Sequence, residues 1–243
     1  MSGATHLRYE ILRALRNPML YAITLGLPLV LFYGVATGQR HVIHDGTTFP
    51  LYFMTAMAVY GAMFAVTAPG ARIARDRASG WTRQMMITPL RARTEVIAKV
   101  VTMYLLTLLT LALLFLAGAS LGVRLSATQW LELAGLLLVG VAPLAVLALI
   151  LGYLLPSDAL APAVGGVVIL LALFGGVYGF QLASSGPLFD VMKGLPSYWL
   201  VLAGDATVNR GNWPAQAWIT IAAWVVVLVP VAMLAFRSSA RRV

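Results

Sequence analysis

Cysteine is absent from the 243-residue chain, which excludes a disulfide framework, a thiolate metal site and a cysteine nucleophile. Charge is scarce too: Asp, Glu, Lys and Arg make up 10% of the residues, and lysine occurs only as Lys99 and Lys193. Those lysines are followed by Val100 and Gly194. A phosphate-cradling loop needs Gly-rich backbone before its lysine and Ser or Thr after it, so the chain has no such ATP site of its own. Acidic residues are scattered singly, without the carboxylate or histidine clusters that membrane enzymes present at an interface. His41, His44 and Asp45 come nearest to a metal set, but nothing beside them completes the ligands. We read them as polar loop residues and expect no metal.

What is present is apolar. Hydrophobic residues form 60% of the chain and the mean hydropathy is +0.88, more apolar surface than a soluble domain of this length can bury. An all-α integral membrane protein follows, organised as a single transmembrane domain over residues 1–243. The net charge of +9 raises the question of nucleic acid. The basic residues stand at the ends of apolar runs, however, not interleaved with aromatics on a polar face, so no nucleic-acid partner is expected. Fifteen arginines against two lysines fit a GC-rich bacterial coding bias.

Apolar runs of about 20 residues, the length of a spanning helix, predict six spans: about 19–37, 51–70, 96–121, 130–155, 160–182 and 214–236. None has a charge near its centre, which leaves no carboxylate relay of the kind ion-coupled carriers use. With both termini in the cytosol, thirteen of the 17 basic residues fall inside and only Arg40, Arg124, Lys193 and Arg210 outside. Retention of Lys and Arg on the cytosolic face therefore predicts both termini inside a bacterial plasma membrane.

Before the first span, residues 5–17 place Leu7, Ile11, Ala14 and Leu15 on one face and Arg8, Arg13 and Arg16 elsewhere, predicting an amphipathic interfacial helix. Pro18 bends the chain into the span. The run that follows is too long for the core of a cleaved signal sequence. The outer segment 183–213 mixes prolines and glycines with Phe189, Met192, Tyr198, Trp199 and Leu202. It is too apolar for a solvated loop and is expected to fold back at the membrane interface or re-enter it.

The most informative stretch is the inner loop after the second span, about 71–95. Between Arg72 and Lys99, seven basic residues face only Asp76 and Glu95. Ser79 is suited to cap a short helix, and Pro89 to stop it. Trp81 and Met85, four apart, then share a side beside Arg83 and Gln84. Anionic lipid headgroups are natural neighbours for such arginines.

Arg75, Asp76, Arg77, Ser79, Gly80, Thr88, Pro89, Leu90 and Lys99, in that order, resemble the corresponding loop of permease subunits of type-2 ATP-binding-cassette (ABC-2) transporters, a family that includes multidrug and antibiotic exporters. The resemblance extends over the chain: amphipathic start, six spans, short inner connection and a long outer segment before the last span. One departure is Arg83 after Thr82, where family members often carry Glu.

This resemblance implies a coupling helix seated on a separate ATP-binding subunit, with Arg75, Asp76, Arg77, Ser79, Gly80, Trp81, Arg83, Gln84, Met85, Pro89 and Leu90 as the docking residues. ATP and magnesium would then belong to that partner, with no cofactor on this chain. It implies pairing with a second copy or a paralogous permease, and a central apolar cavity lined by the second and fifth spans. Phe53, Met57, Tyr60 and Phe64 form one stripe on the second span, and Phe174, Tyr178 and Gln181 another on the fifth. Met and aromatic surfaces suit cargo of variable shape; ordinary helix packing is the plainer use of such stripes. The fifth span also carries Gly175 and Gly179, four apart, suited to close helix packing, a dimer seam or a hinge. The expectation is an exporter subunit for a lipophilic substrate that is not itself an enzyme. A facilitative or ion-coupled carrier and a polytopic membrane enzyme are the rivals.

Overall fold

The computed structural model describes residues 12, 22–44, 47–79, 92–178, 183, 185–208 and 212–241. A π-helical turn, Ala22–Gly26, leads into α1, Leu27–Ala36, and a 3-10 turn, Thr37–Gln39. A two-residue hairpin follows, with β1 (Ile43–His44) antiparallel to β2 (Thr47–Thr48) and Ile43 opposite Thr48. The rest is helical: α2 (Phe49–Thr67), α3 (Gly70–Ala78), α4 (Ala92–Ser120), α5 (Ala127–Gly140), α6 (Ala142–Leu154), α7 (Ser157–Gly175), α8 (Pro187–Lys193), α9 (Pro196–Val208) and α10 (Ala215–Arg241).

Among the described residues, five helices are long and apolar enough to cross a membrane: α2 with α3, α4, α5 with α6, α7 and α10. They match the second to sixth expected spans and make this an all-helical membrane protein. At the first expected span stands a shorter apolar helix, Thr24–Gln39. Residues 13–21, and with them the interfacial helix expected over 5–17, lie outside the described residues apart from Leu12.

Breaks in the helices have local causes. Pro69 has no amide hydrogen to give Ala65 and so separates α2 from α3. Pro143 stands in the first turn of α6, directly after the break at Val141. The start of α5 is fixed by a capping box, in which Ser126 accepts from the Gln129 amide and the Gln129 side chain accepts from Ser126 N. The fifth expected span ends at Gly175, short of the predicted 182, because Gly176 takes the left-handed conformation (φ 79°) that closes a helix.

The core runs along α2, whose Met54, Ala58, Ala62, Met63 and Val66 are fully buried. It packs chiefly against α4, while α6 packs against α10 and α9 against α5. Small residues set these distances: a Cβ on Gly61 would lie 2.8 Å from Thr110 Cγ2. Buried hydroxyls of Thr67, Thr102, Thr107 and Thr110 each donate to the carbonyl four residues back, the satisfaction available to a hydroxyl in an apolar span. By contrast α10 is hardly covered, with Ile219, Val226, Val227, Met233 and Leu234 exposed.

The outer segment is ordered as α8 and α9, and α9 is wedged among α5, α7 and α2. Three indoles hold its entry. Trp199 Nε1 donates to Lys193 O (2.7 Å), Trp224 Nε1 to Gly194 O (2.7 Å) and Trp213 Nε1 to Trp199 O (3.1 Å). Gly175 meets Ser197 of α9, where a Cβ would lie 2.9 Å from backbone. The glycine that suggested a dimer seam or hinge is thus used for packing within the chain; Gly179 lies outside the described residues.

Candidate functional site

The second expected span does not end in a solvated loop. Past Pro69 the chain continues as α3, and its charged residues turn inward: Arg72 and Asp76 are buried, Arg77 is half-buried and Arg75 is exposed. The spacing explains the fold, because Arg72 with Asp76 and Glu95 with Lys99 are four apart and lie on one helix face each. Ser79 closes α3 as its C-cap, its Oγ donating to Asp76 O at 3.2 Å. The helix-opening role expected of Ser79 would use amides outside the described residues.

Charge is locked across the basic end of the bundle. Lys99 Nζ on α4 lies 3.3 Å from Asp76 Oδ2 on α3 and 3.6 Å from Glu95 Oε1, with all three side chains largely out of solvent. Arg77 Nη1 donates to Gly152 O (3.1 Å) and Leu155 O (3.3 Å) at the end of α6. Tyr153 lies within electrostatic reach of Glu95, Arg77 and Asp76, and its ring meets Phe236 of α10 edge-on at 5.2 Å. Between α3 and α4, Pro69, Arg72, Lys99 and Thr102 line a crevice of about 10 Å³, room for roughly one water.

Backbone contact reinforces these bonds. A Cβ on Gly70 would lie 2.8 Å from Ala148 O, and one on Gly152 would lie 2.8 Å from Gly70 O and 2.9 Å from Ile73 Cβ. Two glycines thus let α3 and α6 touch main chain to main chain. Five of the described helices, α3, α4, α6, α7 and α10, converge on this end.

Of the docking residues read from the sequence, Arg75, Asp76, Arg77 and Ser79 stand on α3. Gly80, Trp81, Arg83, Gln84, Met85, Pro89 and Leu90 lie outside the described residues. What is described fixes both of that segment's anchors, Ser79 and Ala92, on packed helices. Arg72 and Lys99, read as flanking cations, and Glu95 and Tyr153 belong to the same cluster. The paired four-residue spacings were the available signal for the charged members. Nothing in the pattern announced Tyr153.

The two stripes divide. Phe53 stacks on Phe49 (5.6 Å) and Phe32 (6.4 Å), making an aromatic group with α1, and Met57 is buried. Tyr60 contacts Phe64 edge-on at 4.9 Å and approaches Tyr178 at 6.1 Å. The second and fifth spans do meet through aromatic residues, at Tyr60 and Tyr178, and Tyr178 keeps 43% of its surface exposed. Phe174 is half-buried against the core, and Gln181 lies outside the described residues. His41 is exposed, the side chains of His44 and Asp45 are not described, and no metal-ligating trio occurs among the described residues.

No protein-family model matches the chain. It is 24% identical over 191 residues, covering 78% of each chain, to a protein of Bacillus subtilis (strain 168) named "Putative transport permease YvfS".

Proposed function

We propose that this chain is the membrane-spanning subunit of an ABC-2-type exporter, moving a lipophilic substrate (drug, antibiotic or lipid-like) outward across a bacterial plasma membrane. A separate ATP-binding-cassette subunit would hold ATP and magnesium and dock on the segment between Ser79 and Ala92. One observation carries this reading: the helices that flank that segment, α3 and α4, are ion-paired to each other through Asp76 and Lys99, and α3 is bonded to a third, α6. A loop whose only task was to fix orientation would need its charges in solvent, whereas a loop that transmits force needs stiff anchors. The likeness to a transport permease supports the same class of activity.

Both termini and the charged cluster face the cytosol in this reading, following the asymmetry of basic residues. Closure of the ATPase subunits pushes the docking segments of two paired permease chains and switches a substrate path between the chains, bordered by Tyr60 and Tyr178, from inward to outward access. Exposed Tyr178 meets the cargo; buried Tyr60 and half-buried Phe64 shape the wall behind it.

Co-expression with an ATP-binding-cassette subunit, sought first in the adjacent reading frame, tests the proposal. The two chains are expected to co-purify, and inverted vesicles carrying both to accumulate a lipophilic fluorescent dye only with hydrolysable ATP. Dye movement by this chain alone, indifferent to ATP, would establish the carrier instead.

A further inference from the structure

We infer that Arg77 is the positioning residue that ties the docking segment to the connection between α6 and α7, an inference that rests on the coupling role proposed above. The need for a donor at this place is written into the connection. In a continuous helix Gly152 O would accept from the amide of residue 156, but that residue is Pro156, which has none. Leu155 has already left the helix, with ψ at 150°. Arg77 Nη1 serves both carbonyls, at 3.1 and 3.3 Å, and brings its positive charge to the negative end of the α6 dipole.

The location gives this bond a purpose beyond capping. Arg77 stands in the last turn of α3, two residues before Ser79. The gripped strand, Leu155 and Pro156, runs directly into α7, which leads to Phe174 and then Tyr178 opposite Tyr60. Main-chain contact of Gly70 with Gly152 one turn or two deeper keeps α3 from sliding on α6. α3 also packs directly on α7, and the guanidinium adds to that contact a directional tie to the connection at the foot of α7. A lysine is shorter and lacks the planar fork.

The chain has no cysteine, so a labelled pair is introduced directly. Spin labels at Ala78→Cys and Ala159→Cys, both exposed alanines, are measured in lipid nanodiscs without a partner. The expected result is one narrow distance, broadened at least twofold by Arg77→Ala. Adding Pro156→Ala supplies an amide but, with Leu155 at ψ 150°, leaves it directed away from Gly152 O, so the distribution should stay broad. Where the Ala variant does not fold, Arg77→Lys is read in its place and should give an intermediate width. A width unchanged by either substitution at Arg77, or restored by Pro156→Ala, overturns the inference.

In vesicles with the ATPase subunit, Arg77→Ala/Pro156→Ala should transport less than one-tenth as much dye per ATP hydrolysed, whatever its rate of hydrolysis; unchanged transport per ATP also overturns it. Failure of the parent chain to bind any ATPase would instead remove the coupling role, while the label widths still decide whether Arg77 joins the two elements.

Discussion

Lys99→Met is the sharpest test of the charged cluster. It removes a cation lying 3.3 Å from one carboxylate and 3.6 Å from another, where the Lys99, Asp76 and Glu95 side chains are 7%, 3% and 13% exposed. At an effective dielectric constant of about 20, each contact corresponds to roughly 5 kcal/mol of Coulomb energy before desolvation. Desolvation of the three groups offsets most of that sum in the intact protein. Deleting the lysine alone removes the attraction and leaves the carboxylates desolvated, so the expected loss is about 3–5 kcal/mol. An exposed pair at the same distances would lose about 0–1 kcal/mol; burial decides the magnitude.

The assay is reversible unfolding in mixed lipid and SDS micelles, followed by tryptophan fluorescence. The double variant Asp76→Leu/Lys99→Met, which removes both charges, should recover about 2 kcal/mol relative to the sum of the single variants, a coupling typical of residues in contact. A loss under about 1 kcal/mol for Lys99→Met, or strict additivity in the double variant, would refute the cluster as a structural lock.

Glycine substitutions should separate contact from open space in the same unfolding assay. Gly152→Ala drives a Cβ to 2.8 Å from Gly70 O and should cost about 1–3 kcal/mol, whereas Gly165→Ala meets nothing within 4 Å and should be neutral or stabilising by up to about 1 kcal/mol. Trp199→Phe deletes the donor to Lys193 O and should lower stability by about 1 kcal/mol. Tyr178→Ala and Phe64→Ala should alter dye transport while leaving assembly with the partner intact; unchanged transport in both would remove them from the substrate path. Trp81→Ala together with Arg83→Glu should abolish transport and weaken the ATPase complex, and a tight complex that still transports would defeat the docking assignment.

Much of the architecture was legible because lipid imposes a simple rule. Every backbone group in the apolar zone must be satisfied within its own segment, so long apolar runs become helices, and five do at the expected places. Boundaries were less legible. The fifth span stops at Gly175 because α9 presses on it and Gly176 turns left-handed, a consequence of a neighbour over twenty residues away in sequence. The aromatic stripe on α2 read as one surface, but α1 claims its outer end through Phe32 and α7 its middle through Tyr178.

Composition and the placing of charge determined, by themselves, that this is a helical membrane protein with its basic residues gathered at one end. Both are properties of local sequence, since hydropathy over one span and the charges between spans need no knowledge of neighbours. Only the tertiary structure decided what those charges do. From the sequence Asp76 and Arg77 read as docking residues and Glu95 and Lys99 as charges of the inner loop, and they form an interior lock because α4 brings a cation, and the end of α6 two carbonyls, to α3. A buried charge is stable only with its partners in place, and partners 23 to 78 residues apart in sequence are supplied by folding alone.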